Sequence, residues 1–264
     1  MIGTDLIERL VQAVALSHRV AHRDRASLLL LAAPESGKTT IACAATAKHV
    51  VPIAVITGRS VLVEISQHHA EFLLFNDMAA IRSLSKPTSA LLITLLNQLS
   101  NGEQGIASFA GKDRVMIDKP IGIIGCLPFR IFTDHRARWR DMGFVSRMIP
   151  FSYSYNAELI ATIKNSIDRS NPGKPKVRKL PDMKESHDEP IDIGLAPAHA
   201  RIVRALADAR AVTLGQIGIR LLKNYHVIIR AHALLHGRKR VQPDDLDFLR
   251  AIDQYVSITE CKPL

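Results

Sequence analysis

Gly37, Lys38 and Thr39 have the residue types and the spacing that bind phosphate groups. They follow the apolar residues 28–31, which are four leucines in succession. A buried strand that turns through a loop of small residues into a helix directs backbone N–H groups at anionic oxygens. In such a loop the Lys38 ammonium would reach the β- and γ-phosphates of a nucleotide, and the Thr39 hydroxyl would hold Mg²⁺. The pattern therefore predicts a loop that binds a nucleoside triphosphate together with magnesium.

The loop departs from the usual G-x-x-x-x-G-K-[ST] motif at its first position, which is Ala32. Because alanine is small enough to keep the loop tight, we expect phosphate binding to be retained. The residues expected to contact the nucleotide are Pro34, Glu35, Ser36, Gly37, Lys38, Thr39 and Thr40.

Asp77 follows the apolar residues 72–75, where a carboxylate at the tip of a neighbouring strand would hold magnesium with its water shell. Two registers are open. In one, Asp77 is the magnesium ligand and Met78 stands at the position of the catalytic base. In the other, Asn76 takes the magnesium position and Asp77 that of the base. Both lack the usual Asp-Glu pair, which predicts slow hydrolysis more than weak binding. Alternatively, Asp77 only caps the next helix, or Glu103 supplies the base.

Two arginines have positions that suit nucleotide chemistry. Arg147 lies directly before the predicted strand 148–155 and could reach the γ-phosphate held by a neighbouring subunit, or form a surface ion pair. Arg220 begins a helical stretch and could reach back over the nucleotide, or be an exposed arginine at a helix start. A separate cluster is predicted to be a solvated or partner-facing basic patch, with Trp139 as a packing anchor: Arg136, Arg138 and Arg140.

Strands and helices alternate along the first two thirds of the chain. The predicted strands cover residues 27–33, 50–57, 72–75, 121–125 and 148–155. The predicted helices cover residues 4–20, 39–48, 60–69 and 87–99, and a hairpin is expected near residues 101–112. This alternation predicts an α/β fold with three layers, in which helices cover both faces of a mostly parallel sheet.

The composition changes after residue 170. Residues 171–196 carry prolines and charges without periodicity, which predicts a basic linker. Helical patterns follow at residues 197–211 and 214–236, and a last helix begins near residue 241. We therefore expect a nucleotide-binding core at 1–170, the linker, and a small helical domain at 197–264.

Composition limits the class of protein. The chain has 264 residues, 47% of them hydrophobic and 23% charged, which is typical of a globular protein, and its net charge of +10 favours acidic partners, nucleic acid above all. The cysteines, Cys43, Cys126 and Cys261, are odd in number and widely spaced, which predicts a reducing environment. Neither a signal peptide nor an apolar run of about 18 residues is found, so no membrane span and a cytoplasmic location are expected.

Taken together, these motifs resemble those of an AAA+ ATPase. The loop 32–39, the run 72–77, the stretch Gly-Phe-Val-Ser-Arg ending at Arg147 and the C-terminal helices carry the resemblance. Residues 218–246 resemble the lid of the MCM/MoxR/magnesium-chelatase branch. The resemblance implies a sheet order of 5-1-4-3-2, ATP and Mg²⁺ as cofactors, and a homo-oligomeric ring or partial ring. It also implies that Arg147 is an arginine finger and Arg220 the sensor-2 arginine.

Two functional hypotheses follow. In the first, the protein is an ATPase that couples ATP binding and hydrolysis to the remodelling of DNA or a nucleoprotein complex. In the second, it is a MoxR-like remodeller of a protein client, or a switch that hydrolyses ATP slowly. The residues expected to act in catalysis are Lys38, Asp77 and Arg147, with Thr39 and Asp77 at the metal.

Overall fold

A computed structural model describes residues 4–20, 25–102, 105–109, 113–169 and 190–264. In chain order its elements are α1 (Asp5–Leu16), β1 (Leu28–Ala32), α2 (Lys38–Ala42), β2 (Val50–Ile53), α3 (Gly58–His68), β3 (Phe72–Phe75), α4 (Lys86–Asn101), β4 (Gly105–Phe109), β5 (Asp113–Ile117), β6 (Gly122–Pro128), α5 (Phe129–Asp141), β7 (Ile149–Ser154), α6 (Ala157–Arg169), α7 (Pro197–Leu214), α8 (Ile219–Leu235), α9 (Pro243–Asp253) and β8 (Lys262–Pro263).

A parallel sheet of six strands forms the centre of the described structure, in the order β2-β3-β6-β1-β7-β8. All five residues of β1 are buried, since this strand pairs with β6 on one side and β7 on the other. A continuous apolar run is what an interior parallel strand requires, because helices cover both of its faces. The four leucines therefore place the following loop at the middle of the sheet.

The strand order differs from the predicted 5-1-4-3-2. A sixth strand, β8, lies at the β7 edge, where it pairs with Tyr153 and Ser154, and β4 and β5 form a separate antiparallel sheet. From β7 inward, the order of the remaining strands is β7, β1, β6, β3 and β2. The two residues of β8 have no apolar alternation, so their pairing depends on the tertiary structure rather than on a local pattern.

The helices lie in layers on the sheet. Right-handed crossovers place α2 on one face and α3, α4 and α5 on the other, since the chain moves outward from β1 to β2 and then back across the sheet. The contacts agree, because α1 packs on α2 whereas α3 packs on α4.

The C-terminal helices α7, α8 and α9 pack on one another, and α8 and α9 also pack against α1. Polar contacts tie them together: Arg210 donates to Asp253 at 2.7 Å in a part-buried pair, and His232 Nδ1 lies 2.6 Å from Asp245 Oδ1 in a buried one. The Asp245 carboxylate also accepts from the backbone N–H of Gln242, which fixes the start of α9.

Several helices differ from their predicted extents. The predicted helix 39–48 ends as an α-helix at Ala42 and continues only as a 3-10 turn, Cys43–Ala45. The predicted helix 214–236 begins later, as α8, because Gly215 and Gly218 adopt left-handed backbone that separates it from α7. The predicted linker 171–196 and the basic residues within it lie mainly outside the described residues. Helices α5 and α6 were not predicted.

Among the helices of the described ranges, none combines the length and the apolar character needed to cross a lipid bilayer.

Candidate functional site

The loop between β1 and α2 has the backbone shape of an anion-binding loop. Glu35 and Gly37 both adopt left-handed backbone, with φ of 61° and 71°. Left-handed residues among ordinary ones turn successive N–H groups into a concavity that suits phosphate oxygens. Ala33, Pro34 and Glu35 are exposed, whereas Ser36 is buried. The outer rim of the loop therefore faces solvent while its base is fixed by the protein.

Lys38 lies inside this loop. Its ammonium donates to the carbonyl oxygens of Ala32 and Ala33, at 3.2 and 2.5 Å, and to Ser36 Oγ at 3.1 Å. Burial lowers the pKa of Lys38, an effect opposed by Cys126 and Asp77. All three bonded acceptors are uncharged oxygens, so no bonded carboxylate neutralises the ammonium. The Lys38 ammonium is therefore positioned to contact an anion bound in the loop.

The carboxyl end of β3 meets the start of α2. The Thr39 hydroxyl donates to the backbone carbonyl of Asn76 at 3.2 Å. The side-chain oxygen of Asn76 is buried and has no hydrogen-bond partner among the described residues. The structure thus brings together the two segments that were expected to share a magnesium ion, and Thr39 touches Asn76 rather than Asp77.

Asp77 is exposed at the same edge. Its carboxylate accepts from the N–H of Ala79 at 2.8 Å and caps the 3-10 helix Met78–Ser83. Asp77 therefore caps the next helix, as one of the sequence alternatives expected. Because Asp77 also contributes to the electrostatic environment of Lys38, its charge remains close to the loop. The alternative base, Glu103, lies outside the described residues.

The carboxyl end of β6 offers no charged side chain to the loop. Cys126 is buried there, and burial raises its pKa to about 12, with the neighbouring Lys38 opposing the shift. A thiol with that pKa stays neutral at physiological pH and is a poor nucleophile.

Arg147 and Arg220 line one cavity of about 280 Å³ at the opposite edge of the sheet, where the strands begin. We call this edge the amino edge and the loop side the carboxyl edge. The lining residues are Arg25, Ser100, Asn101, Arg147, Arg220, Lys223 and Asn224. Arg25 is paired with the Glu71 carboxylate at 3.1 Å, and the other three cationic residues of the lining make the cavity favourable for an anionic ligand.

Local geometry holds Arg147 in place. Its Nε donates to Asn101 Oδ1 at 2.9 Å, and its Nη1 donates to the carbonyl of Gly143 at 2.6 Å. Gly143 has a φ of +73°, and a Cβ at this position would come within 2.6 Å of Arg147 Nη1. Glycine is therefore needed for both the turn and the close approach of the guanidinium.

Arg220 lies at the amino edge beside the arginine expected to act between subunits. Its guanidinium donates to Ser146 Oγ at 3.1 Å. The expectation that Arg220 reaches back over the nucleotide of its own chain differs from this placement, since the loop lies at the carboxyl edge.

The predicted basic patch is only partly a free surface. Arg136 donates to the carbonyl of Ile258 at 2.7 Å, and Arg138 donates to that of Lys86 at 2.8 Å. Both arginines thus join α5 to other segments. Trp139 is buried against Phe132 and Phe144, as expected of a packing anchor.

Sequence reasoning missed two tyrosines that contact the loop. The hydroxyls of Tyr153 and Tyr155 both donate to the carbonyl oxygen of Ser36, at 3.2 and 2.7 Å. Both residues follow the alternation of the predicted strand 148–155, so they point to the same side. That alternation, in a strand adjacent to β1, is the signal that could have identified them.

No protein-family profile matches the chain, and no curated protein matches it in sequence. Its fold is similar to the crystal structure of a provisionally assigned ATPase of Cytophaga hutchinsonii. The similarity covers 97% of this chain and 82% of that one, with a TM-score of 0.50 and 13% identity. At this identity the similarity concerns the fold alone. The chain therefore has an α/β fold, with helices around a parallel sheet, that is similar to the fold of that protein.

Proposed function

We propose that this protein is an ATPase that binds Mg²⁺–ATP in the loop between β1 and α2. The observation that carries the proposal is the position of Lys38 within a loop of left-handed turns, next to Thr39, whose hydroxyl contacts the end of β3. A cationic side chain, a concave backbone and a hydroxyl beside a neighbouring strand end are the groups that triphosphate binding requires.

The residues present fit ATP and magnesium. The buried oxygen of Asn76 lacks a hydrogen-bond partner among the described residues and lies on the residue that Thr39 contacts. A hard cation prefers such oxygen ligands, and magnesium usually retains several waters beside one or two protein ligands. We therefore favour the register in which Asn76 and Thr39 are on the magnesium side and Asp77 has the position of the base. Because an amide oxygen is uncharged, this site binds magnesium more weakly than one with an aspartate.

We further propose that a second copy of the chain completes the nucleotide-binding site. Arg147 and Arg220 lie at the amino edge, away from the loop of their own chain. A ring or partial ring would bring the amino edge of one copy to the carboxyl edge of the next. In this arrangement residues 1–170 act as the core, 171–196 as a linker and 197–264 as a lid.

For the remodelled partner we propose nucleic acid, on the basis of the net charge of +10. If lysine and arginine side chains neutralise DNA phosphates, the affinity for DNA should fall steeply as the salt concentration rises. The alternatives are a protein client, whose association would be indifferent to DNA, and a slow switch, which would bind ATP with little turnover. Titration with single- and double-stranded DNA at low and moderate salt, with and without ATP, separates these outcomes. We propose a cytoplasmic location on the basis of the three free cysteines.

The direct test is calorimetric titration of Mg²⁺–ATP into the full chain and into its Lys38→Ala variant. Hydrogen bonds to charged groups contribute about 1.5–3 kcal/mol, so we expect binding to weaken by roughly 10- to 100-fold. Lys239→Ala removes an exposed lysine on the C-terminal helical side and should bind like the original chain. If Lys38→Ala binds ATP as tightly as the original chain, the loop is not the nucleotide site.

A further inference from the structure

Two tyrosines at the carboxyl end of β7, one in the strand and one directly after it, converge on one carbonyl of the loop between β1 and α2. β7 runs parallel to β1, and Tyr153 and the following Tyr155 lie two residues apart, on the same side of the chain. Tyr153 is fully buried and Tyr155 half-buried. Their hydroxyls donate to the Ser36 carbonyl at 3.2 and 2.7 Å. A carbonyl oxygen has two lone pairs, so it can accept both bonds.

Fixing this carbonyl also fixes the next N–H group. The described chain has no cis peptide bond. In a trans peptide the C=O of Ser36 and the N–H of Gly37 point in opposite directions. With the carbonyl held toward β7, the Gly37 N–H points away from the tyrosines.

The Ser36 peptide also lies between two left-handed residues. Glu35 adopts a φ of 61°, although it has a side chain, and Gly37 has a φ of 71°. Left-handed backbone is strained for an L-residue other than glycine and persists only where surrounding contacts enforce it. The tyrosine hydroxyls supply such contacts from outside the loop, while Lys38 bonds Ser36 Oγ from inside.

Both tyrosines are suited to lasting donation. Burial raises the pKa of Tyr153 and of Tyr155, so their hydroxyls keep their protons at physiological pH. A change to phenylalanine removes only the donor and retains the aromatic ring.

We propose that Tyr153 and Tyr155 are positioning residues for phosphate recognition, which hold the Ser36–Gly37 peptide so that the Gly37 N–H faces the bound phosphate. This inference rests on the proposed function, because it requires that the loop binds ATP. The tyrosines do not touch the nucleotide in this account. They act through the backbone.

The test uses the full-length double variant Tyr153→Phe/Tyr155→Phe. Each neutral hydrogen bond contributes about 0.5–1.5 kcal/mol, so losing two should weaken Mg²⁺–ATP binding about tenfold. The matched control is Tyr255→Phe, because the Tyr255 hydroxyl donates to Pro263 at 3.3 Å rather than to the loop. Affinity is measured by calorimetry well below the melting temperature, which is determined for each variant.

A purely structural role would lower the melting temperature and leave the ATP affinity of the folded protein unchanged, and this result would overturn the proposal. If the double variant does not fold, the single variant Tyr155→Phe decides, with an expected loss of about threefold from one missing bond. Unchanged affinity in a folded variant also overturns it. Failure of the original chain to bind ATP rejects the proposed function itself and is recognised before any tyrosine variant is compared.

Discussion

The two edges of the central sheet hold complementary groups. The carboxyl edge has a concave loop with Lys38, and Thr39 beside Asn76. The amino edge has a cavity lined by Arg25, Arg147, Arg220 and Lys223. The first suits binding of a triphosphate with its metal, and the second suits stabilisation of negative charge. Each edge thus resembles one half of a phosphoryl-transfer site.

In one chain these two sets of groups lie at opposite edges of the sheet. β1 runs from Leu28 at the amino edge to Ala32 at the loop, and Leu28 pairs with Ile149, two residues after Arg147. Four residue steps of extended strand separate the edges by about 13 Å. Under the proposed function, the arginines of one copy would serve the loop of another. The predictions below test this division.

The largest effect is expected for Arg147→Ala. An arginine that stabilises transition-state charge is worth about 10³-fold or more in turnover. We expect steady-state ATP hydrolysis to fall by this factor, while ATP affinity changes by less than about threefold, because such an arginine stabilises the charge of the transition state more than that of bound ATP. Arg250→Ala, an exposed arginine on α9, is the control. Equal losses of binding and turnover in Arg147→Ala would mean that Arg147 supports the fold rather than the reaction.

A smaller gain is expected for Asn76→Asp. A carboxylate is a stronger magnesium ligand than an amide oxygen, so the apparent affinity for Mg²⁺ in the presence of ATP should rise about tenfold. The measurement is ATP binding as a function of magnesium concentration. Asp77→Asn is the companion variant, which should slow turnover more than it weakens magnesium binding. The opposite pattern would support the register in which Asp77 is the magnesium ligand.

Glu35→Gly should strengthen ATP binding by about threefold. The exposed Glu35 carboxylate lies on the loop, where it repels phosphate through a well-screened interaction worth less than about 1 kcal/mol. Glu35→Gly removes both the charge and the strain of a side chain in left-handed backbone. Glu35→Gln separates these two causes, because it removes the charge and keeps a side chain in left-handed backbone. Arginine contacts at the amino edge should respond to neither change. Weaker binding in Glu35→Gln would show that the carboxylate assists the nucleotide.

Acidification should destabilise the amino edge of the sheet before the carboxyl edge. Burial lowers the pKa of His18 to about 3 and also lowers that of His49. The ring centroids of the two histidines lie 4.1 Å apart, near Glu71 and Arg25. Between about pH 6.5 and 3 the unfolded chain binds protons that the folded chain excludes, so stability falls as the pH falls. Hydrogen exchange should therefore increase at the amino edge before the carboxyl edge.

Replacing His18 by Phe should reduce this pH dependence, because the buried imidazole that resists protonation is then absent. Identical acid sensitivity in the His18 variant would show that other groups control it.

Much of the fold could be predicted from local pattern. Short, continuous apolar runs favour buried strands of a parallel sheet. The four leucines before the loop are such a run, and the strands at 50–53 and 72–75 were predicted on the same basis. Helix α5 was missed because its exposed face is rich in arginine and only a few of its residues, such as Phe132 and Trp139, are buried. Strand β8 was missed because two residues carry no periodic signal.

The site was predictable where a motif fixes it and not where tertiary contacts decide. Lys38 and Thr39 follow from the spacing of the loop. The preference for Asn76 over Asp77 in the proposed function rests on a tertiary contact, the bond from the Thr39 hydroxyl to the Asn76 carbonyl, which no motif specifies. The position of Arg220 depends on how the C-terminal helices pack against the core, which sequence periodicity does not specify.

The most direct test of the shared site is a mixing experiment. Lys38→Ala lacks a working loop but keeps its amino edge, and Arg147→Ala has the reverse defect. We predict that each variant alone hydrolyses ATP at a small fraction of the original rate and that mixing them restores a substantial part of it, because one intact loop can then meet one intact Arg147. No recovery on mixing, with both variants shown to enter the same assembly, would contradict a site built from two copies.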